Sequence, residues 1–332
     1  MSLSCSKFFA NFLFICICAG FISCHKNRGE DKPPVIPIDT GYIKPLVLQG
    51  KLVYHTYSCY SCNDSKLYLY DFGAKQFSCL STGWDISNPM NAHFSPDGTR
   101  IVFMGTLSNQ NDWNVFIYPI GSDSVPVNLT KGFTGRNEDP KFSPDGAKIV
   151  FKHNGILHEM DTTGAIIQSF ILPQDEASMP YYTSDGSGIL YAGSETGSST
   201  LDISLLTVST GISRFISSTP RVEEYYPIVR DDTSFLFTRW NDQTNRNDQV
   251  YMGFYDDRTP VRLPFNKPND NYSDAYPVND SILVLSGTQL GGRGQYDLYL
   301  ADVKSGKIWS LNSYNPYINT TDNELGACYT SK

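Results

Sequence analysis

FSPDGTRIVF at 94–103 and FSPDGAKIVF at 142–151 are two copies of one unit, which reads as the end of a strand, a tight corner and the start of another strand. The corner has a physical cause. Proline presets φ near −65° for the second turn position, aspartate hydrogen-bonds the neighbouring backbone, and glycine accepts a positive φ. The pattern decays to TSDG at 183–186 and RDDT at 230–233. Asp97 and Asp145 are therefore expected to be turn residues rather than catalytic ones.

Outward from these corners, six rows of β-branched and aromatic residues share one frame: KLVYHTY at 51, RIVFMGT at 100, KIVFKHN at 148, GILYAGS at 188, SFLFTRW at 234 and SILVLSG at 281. Such rows are the composition of buried strands. A second set follows each after a loop of variable length: KLYLYDF at 66, NVFIYPI at 114, ILHEMDT at 156, DISLLTV at 202, QVYMGFY at 249 and DLYLADV at 297. A shorter fourth strand closes each unit. The first strands are indexed by Pro140, Pro180, Pro227 and Pro277, with Met90-Asn91 and Gly326-Ala327 in the same slot. Repeats of this length and order predict an all-β chain, a six-bladed β-propeller of four-stranded antiparallel blades over residues 47–332. The chain opens on a second strand and ends on an orphan first strand, ELGACYT. The C-terminus is thus expected to complete the N-terminal blade and remove both open edges.

The units resemble the WD-repeat-like propeller repeats of the TolB type, also found in the N-terminal halves of prolyl-peptidase enzymes. The FSPDG-x-x-IVF pair carries that resemblance, which extends over residues 47–332. It implies a propeller without the separate N-terminal α/β domain of TolB, because the preceding stalk is too short to hold one.

The N-terminus stands apart. Lys7 is the only charge in residues 1–23, and an apolar stretch from Phe8 to Phe21 has the length of a signal-peptide core rather than a membrane span. Phe21-Ile22-Ser23-Cys24 resembles the lipobox of bacterial lipoproteins, which implies acylation of Cys24 and a lipid anchor with no spanning helix. An ordinary signal peptide is the other reading. Residues 24–46 carry Pro33, Pro34, Pro37 and Pro45 among charged residues and predict an extended tether. The address is the cell envelope, most naturally the outer membrane, with the periplasmic side slightly favoured over the surface. Without Lys7 the mature chain holds 25 basic and 34 acidic residues, a formal charge of −9, which argues against a nucleic-acid partner.

Catalytic signals are few. No G-x-S-x-G, H-E-x-x-H, Walker loop or dinucleotide fingerprint occurs, and no cofactor or metal is expected. Of five histidines, His93 alone is placed to face the channel. Cys59, Cys62, Cys79 and Cys328 all map to the shared blade. Cys79 and Cys328 fall on its outermost and innermost strands, roughly 14 Å apart at about 4.8 Å per strand step. A disulfide needs about 5.5 Å between Cα atoms. That leaves a local Cys59–Cys62 bond open, with free buried thiols as the other reading.

Strand direction puts the loops between second and third strands, and those between blades, on one face and the SPDG corners on the other. An acid precedes the blade start in five of six units: Glu138, Glu176, Glu224, Asp274 and Glu324. They are expected to ring the channel mouth with negative potential, for a cationic group, a metal ion or a partner's basic segment. The other reading has them capping strand ends. Trp113 and Trp240, with Arg239 and Arg293, are the candidate anchors on this face. The preferred expectation is a non-catalytic lipoprotein binding an envelope protein or peptide. A glycan-binding accessory lipoprotein comes second, and a carboxylate-dependent lyase or hydrolase third.

Overall fold

The computed structural model describes residues 46–332 apart from 109, 195, 196 and 290. The signal segment 1–23, Cys24 and the tether up to Pro45 lie outside the described residues.

Six four-stranded antiparallel sheets form the ring. Blade 1 runs, from the axis outward, Asn323–Thr330, Lys51–Tyr57, Lys66–Asp71 and Gln76–Cys79. Blades 2 to 6 take their innermost strands from Ile86–Phe94, Asn137–Phe142, Glu176–Tyr182, Glu224–Val229 and Tyr272–Pro277. The closure expected from the sequence is present: Lys51 faces Thr330, Val53 faces Cys328 and Tyr57 faces Asn323.

The second strands read as continuous apolar runs because they are covered on both faces by neighbouring blades. Ile149, Val150 and Phe151 are fully buried, and every residue of Gly188–Ser194 is buried. The core is accordingly not one cluster but a layer at each blade junction. Val53, Leu67, Phe94, Ile101, Phe103 and Phe116 fill the layer between blades 1 and 2. Leu52, Tyr54, Ile282, Val284, Leu298 and Ile318 fill the layer between blades 6 and 1, where the ring shuts.

At the corners Asp97 Oδ1 accepts from Ser95 Oγ at 2.6 Å and from Thr99 N at 3.0 Å, while Ser95 Oγ accepts from Arg100 N at 2.9 Å. These bonds to the ionised form hold the Asp97 carboxyl down at about 2. Ser143 and Asp145 repeat the arrangement, and Thr183 and Asp185 substitute for it in blade 4. The aspartates of the repeat are structural.

Gly326, on the closing strand, has φ +60° and a backbone packed on His55: an added Cβ would sit 2.6 Å from the ring nitrogen. Gly83 has φ +81° and open space around it. Gly326→Ala is expected to cost about 3 kcal/mol or more in denaturant unfolding, strain plus clash, and Gly83→Ala only about 1–2 kcal/mol of left-handed strain. Equal costs would mean that the closing strand does not pack as described.

Candidate functional site

Each innermost strand breaks register with its neighbour at an equivalent level, between Glu138 and Lys141, Ser178 and Tyr181, Tyr225 and Ile228, Ser273 and Tyr276, opposite Val53–His55, and between Met90 and His93 in blade 2, which has a further break between Ser87 and Met90. The residue at the break lies in the left-handed region in all six blades: Asn91, Asp139, Met179, Tyr226, Asp274 and Gly326, with φ between +48° and +60°. Asn, Asp and Gly adopt this conformation readily, whereas Met179 and Tyr226 are strained in it. Such bulges re-aim side chains. Here they deliver one residue per blade to the channel wall at a single level. The next residue is Ala or Pro in every blade, and the one after forms a second ring: His93, Lys141, Tyr181, Ile228, Tyr276 and Cys328.

The second ring narrows the channel to a cavity of about 50 Å³. Phe142 N–H donates to His93 Nδ1 at 3.2 Å, so the ring proton belongs on Nε2, which is 3.1 Å from Tyr181 Oη. Tyr181 in turn donates to Tyr276 Oη at 3.3 Å. This relay ties blades 2, 4 and 6 together across the channel. Burial, helped by Lys141, holds His93 well below its usual range and therefore neutral.

On the corner side the channel opens into a cavity of about 410 Å³ among Ser95, Pro96, Ser143, Pro144 and the tail Tyr329–Lys332. On the long-loop side it opens into a funnel of about 160 Å³. The funnel floor holds two carboxylates from blades 3 and 6, which stand opposite each other in a ring of six. Asp139 Oδ1 accepts from Asn91 Nδ2 at 2.8 Å. Asp274 Oδ2 accepts from Gly326 N at 3.2 Å, and its Oδ1 from Ser273 Oγ at 3.3 Å. Burial lifts Asp274 to about 6, opposed by the Gly326 and Ser273 bonds and reinforced by the charge of Asp139. Burial raises Asp139 as well. The walls are Tyr57, Tyr60, Tyr226 and the methionines 90, 104 and 179. Tyr60 sits on the Cys59–Cys62 loop, edge-on to Tyr57 at 6.2 Å, with the two cysteines joined in a disulfide and their Cα atoms 5.1 Å apart. Cys79 and Cys328 carry free thiols.

The acids read from the sequence do not form one ring. Counted from the left-handed residue, Asp274 is that residue, Glu138 precedes it by one, Glu224 and Glu324 by two and Glu176 by three. Pro277 misplaced Asp274, because it follows its left-handed residue by three whereas Pro140, Pro180 and Pro227 follow theirs by one; Glu138, Glu224 and Glu176 differ in offset even from equivalent prolines. Side chains alternate along a strand, so these offsets send the acids different ways. Glu138 and Asp274 line the funnel. Glu224 and Glu324 are fully buried within their blades, accepting from Thr219 Oγ1 at 2.7 Å and Thr320 Oγ1 at 2.6 Å, which is the strand-end capping role. Burial lifts the Glu324 carboxyl to about 8. Glu176 ion-pairs with Lys152 at 2.8 Å, and Lys152 reaches Glu138 at 3.0 Å. Arg136 pairs with the same Glu138.

The other candidates lie away from the funnel. Arg136 covers the Trp113 ring at 6.0 Å, and Arg246 covers Trp240 at 4.6 Å on the opposite side of the propeller. Arg239 stacks on Tyr251 at 4.2 Å and stands 3.8 Å from Glu224. Arg293 donates to the carbonyls of Pro316 at 2.9 Å and Asn319 at 3.1 Å, bracing a loop. His93 lies in the channel, as expected, but not alone: His55 lines the funnel, where its Nδ1 accepts from Asn91 N at 3.4 Å. Sequence reasoning left Asp139, Lys141, Tyr226 and the Tyr181–Tyr276 pair out of the site. The usable signal was the Ala or Pro that follows every left-handed residue.

Fold and site together define a closed six-bladed propeller with an acid-floored funnel on its long-loop face. No protein-family model matches the sequence, and no curated protein does. Among solved structures, the chain is similar to TolB from Acinetobacter baumannii, at 16% identity and a TM-score of 0.65, over 86% of this chain and 67% of that one. It is also similar to Kuenenia stuttgartiensis hydrazine synthase, at 13% identity and TM-score 0.68, over 85% of this chain but only 46% of that one. The propeller domain of the Trilobed protease from Pyrococcus furiosus matches at 15% identity and TM-score 0.51, over 79% and 80% of the two chains. Its open velcro topology contrasts with the closure by Asn323–Thr330 here. At such identities the likeness is one of fold: this chain has the TolB-type propeller. Among the described residues, no group of three or more His, Cys, Asp or Glu side chains has the geometry to hold a metal ion, and no helix is long and apolar enough to cross a membrane.

A carboxyl lifted from 3.8 to about 6 in the folded chain destabilises it by about 2–3 kcal/mol once ionised. The penalty is absent below pH 4, grows between 4 and 6 and is complete above 6. Asp274→Asn keeps an acceptor for Gly326 N–H and removes the charge. It is expected to raise the melting temperature by about 5 °C at pH 7.5, with the gain vanishing near pH 4. A loss of stability at pH 7.5 would show that the carboxylate is solvated.

Proposed function

We propose that this protein is a lipid-anchored envelope protein, acylated at Cys24, whose propeller holds a segment of a protein or peptide partner in the long-loop funnel. The observation that carries the reading is the funnel itself: a tyrosine- and methionine-walled pit ending on two buried carboxylates. Methionine and tyrosine walls suit an extended peptide, which they contact without demanding a fixed shape. A glycan is less well served, because guanidinium groups already lie over Trp113 and Trp240. A carboxylate-dependent lyase or hydrolase is the second reading, favoured by one observation: Asp139 and Asp274 face each other and burial raises both.

Photo-crosslinking in the native envelope tests the platform. With p-benzoylphenylalanine at Tyr60, 60% exposed at the funnel mouth, discrete adducts are expected. At Val125, 70% exposed on the corner side, few or none are expected. Adducts from Val125 alone would reverse the assigned face. Cys24→Ala is expected to move the protein from the membrane to the soluble fraction, and continued membrane retention would remove the lipid anchor from the account.

A further inference from the structure

The floor of the funnel has an unbalanced charge. Asp139 and Asp274 are each only 8% exposed, and among the described residues neither is ion-paired with a lysine or arginine within 4.0 Å. Lys141, one ring deeper on the same strand as Asp139, supplies a single positive charge to this pair and donates to the Pro140 carbonyl at 3.3 Å. Arg136 and Lys152 at the rim are engaged by Glu138 and Glu176. Asp139 Oδ1 takes the Asn91 amide, and its other oxygen has no donor among the described residues although the side chain lines both cavities. A buried carboxylate left in this state is costly unless something arrives to pair with it.

What surrounds the carboxylates narrows the chemistry of that partner. Tyr57 and Tyr60 line the funnel on the mouth side of the carboxylates, and Tyr226 stands in the same ring as Asp139 and Asp274, held there in a strained left-handed conformation. Aromatic faces around an anionic floor attract organic cations, through the ring quadrupole and through contact with methylene groups. A hydrated inorganic cation gains less from such walls, and an anion is repelled by the floor.

We propose that the funnel is a binding site for an alkylammonium group, with the ammonium seated between Asp139 and Asp274 and its methylenes against Tyr57, Tyr60 and Tyr226. The proposal deepens the platform reading by naming the group that the partner inserts, and it rests on the same funnel. An ammonium on the channel axis has three donors to divide between facing carboxylates, and it supplies the missing charge. A lysine side chain and a free alkylamine present the same group, so the chemistry is assigned here and the source is left to the test.

The test uses the full-length protein in detergent at pH 7.5 and constant ionic strength, with titration calorimetry of n-butylammonium, 1-butanol and a capped Gly-Lys-Gly peptide. Butylammonium is expected to bind, 1-butanol is not, and Asp274→Asn and Asp139→Asn are each expected to weaken butylammonium at least tenfold. Both variants are checked by melting, where Asp274→Asn is expected to be more stable than the parent, so a loss of binding is not a loss of folding. Tighter binding of the lysine peptide than of butylammonium supports the proposal with a peptide source, and the reverse supports it with a free amine. Equal binding of butanol and butylammonium, absence of binding, or indifference to both substitutions overturns it. Crosslinks from Tyr60 with no ammonium binding would sink this inference and leave the platform reading standing.

Discussion

The antiparallel pairing of Asn323–Thr330 with Lys51–Tyr57 is the contact on which the rest of the molecule depends. It joins the two ends of the propeller, and a loop of that length costs about 5 kcal/mol of chain entropy to close. The layer it creates between blades 6 and 1 buries Leu52, Tyr54, Leu298 and Ile318 among others. At about 1.5–3 kcal/mol for each large apolar side chain, that layer outweighs the closure entropy. The same strand brings Gly326 and Cys328 to the axis. Without it the channel has five walls and no donor from Gly326 to Asp274.

Closure sets up a crowding problem at the axis, and the bulges answer it. Six strands converge there, and each bends at a left-handed residue at the channel level, which in every blade but the first turns a side chain toward the channel. Where that side chain is Asp139 or Asp274, the result is a carboxylate in a place that penalises its charge. Tyr226 and Met179 carry backbone strain at the same level. A fold with large apolar layers at every junction tolerates these costs, and stability given up at one level of a molecule is a common accompaniment of binding. The corner face differs: Asp97, Asp145 and Asp185 accept from neighbouring hydroxyls and backbone amides, which favour their charged form.

The sequence made the blades legible because their signals are local and repeated. Rows of β-branched and aromatic residues in one frame mark the strands, Ser-Pro-Asp-Gly marks the corner, and an unpaired first strand at the end marks the closure. The site was less legible because one inserted residue in a bulge changes which way every later side chain points. Glu224 and Glu324 look equivalent to Asp274 when counted from the blade start, yet they turn into their blades, where Glu224 accepts from the Thr219 hydroxyl and Glu324 from the Thr320 hydroxyl and backbone N–H. Asp139, immediately beside the chosen Glu138, is the residue that meets Asp274 across the floor. His93 was placed correctly because it lies beyond the bulge, next to Phe94, where alternation is regular again. The rim tryptophans drew attention by composition, and only coordinates reveal the arginines lying over them.

The most direct test of this account is the titration of the Asp274 carboxyl, followed by carbon-13 NMR in the free protein and again with butylammonium at saturation. A midpoint near 6 in the free protein, falling toward or below 4 when the ammonium is bound, is the result that the ring of bulges and its acid floor require. A midpoint at the ordinary 3.8 that does not respond to butylammonium would contradict it, because the carboxylate would then be in water rather than on the floor of the funnel.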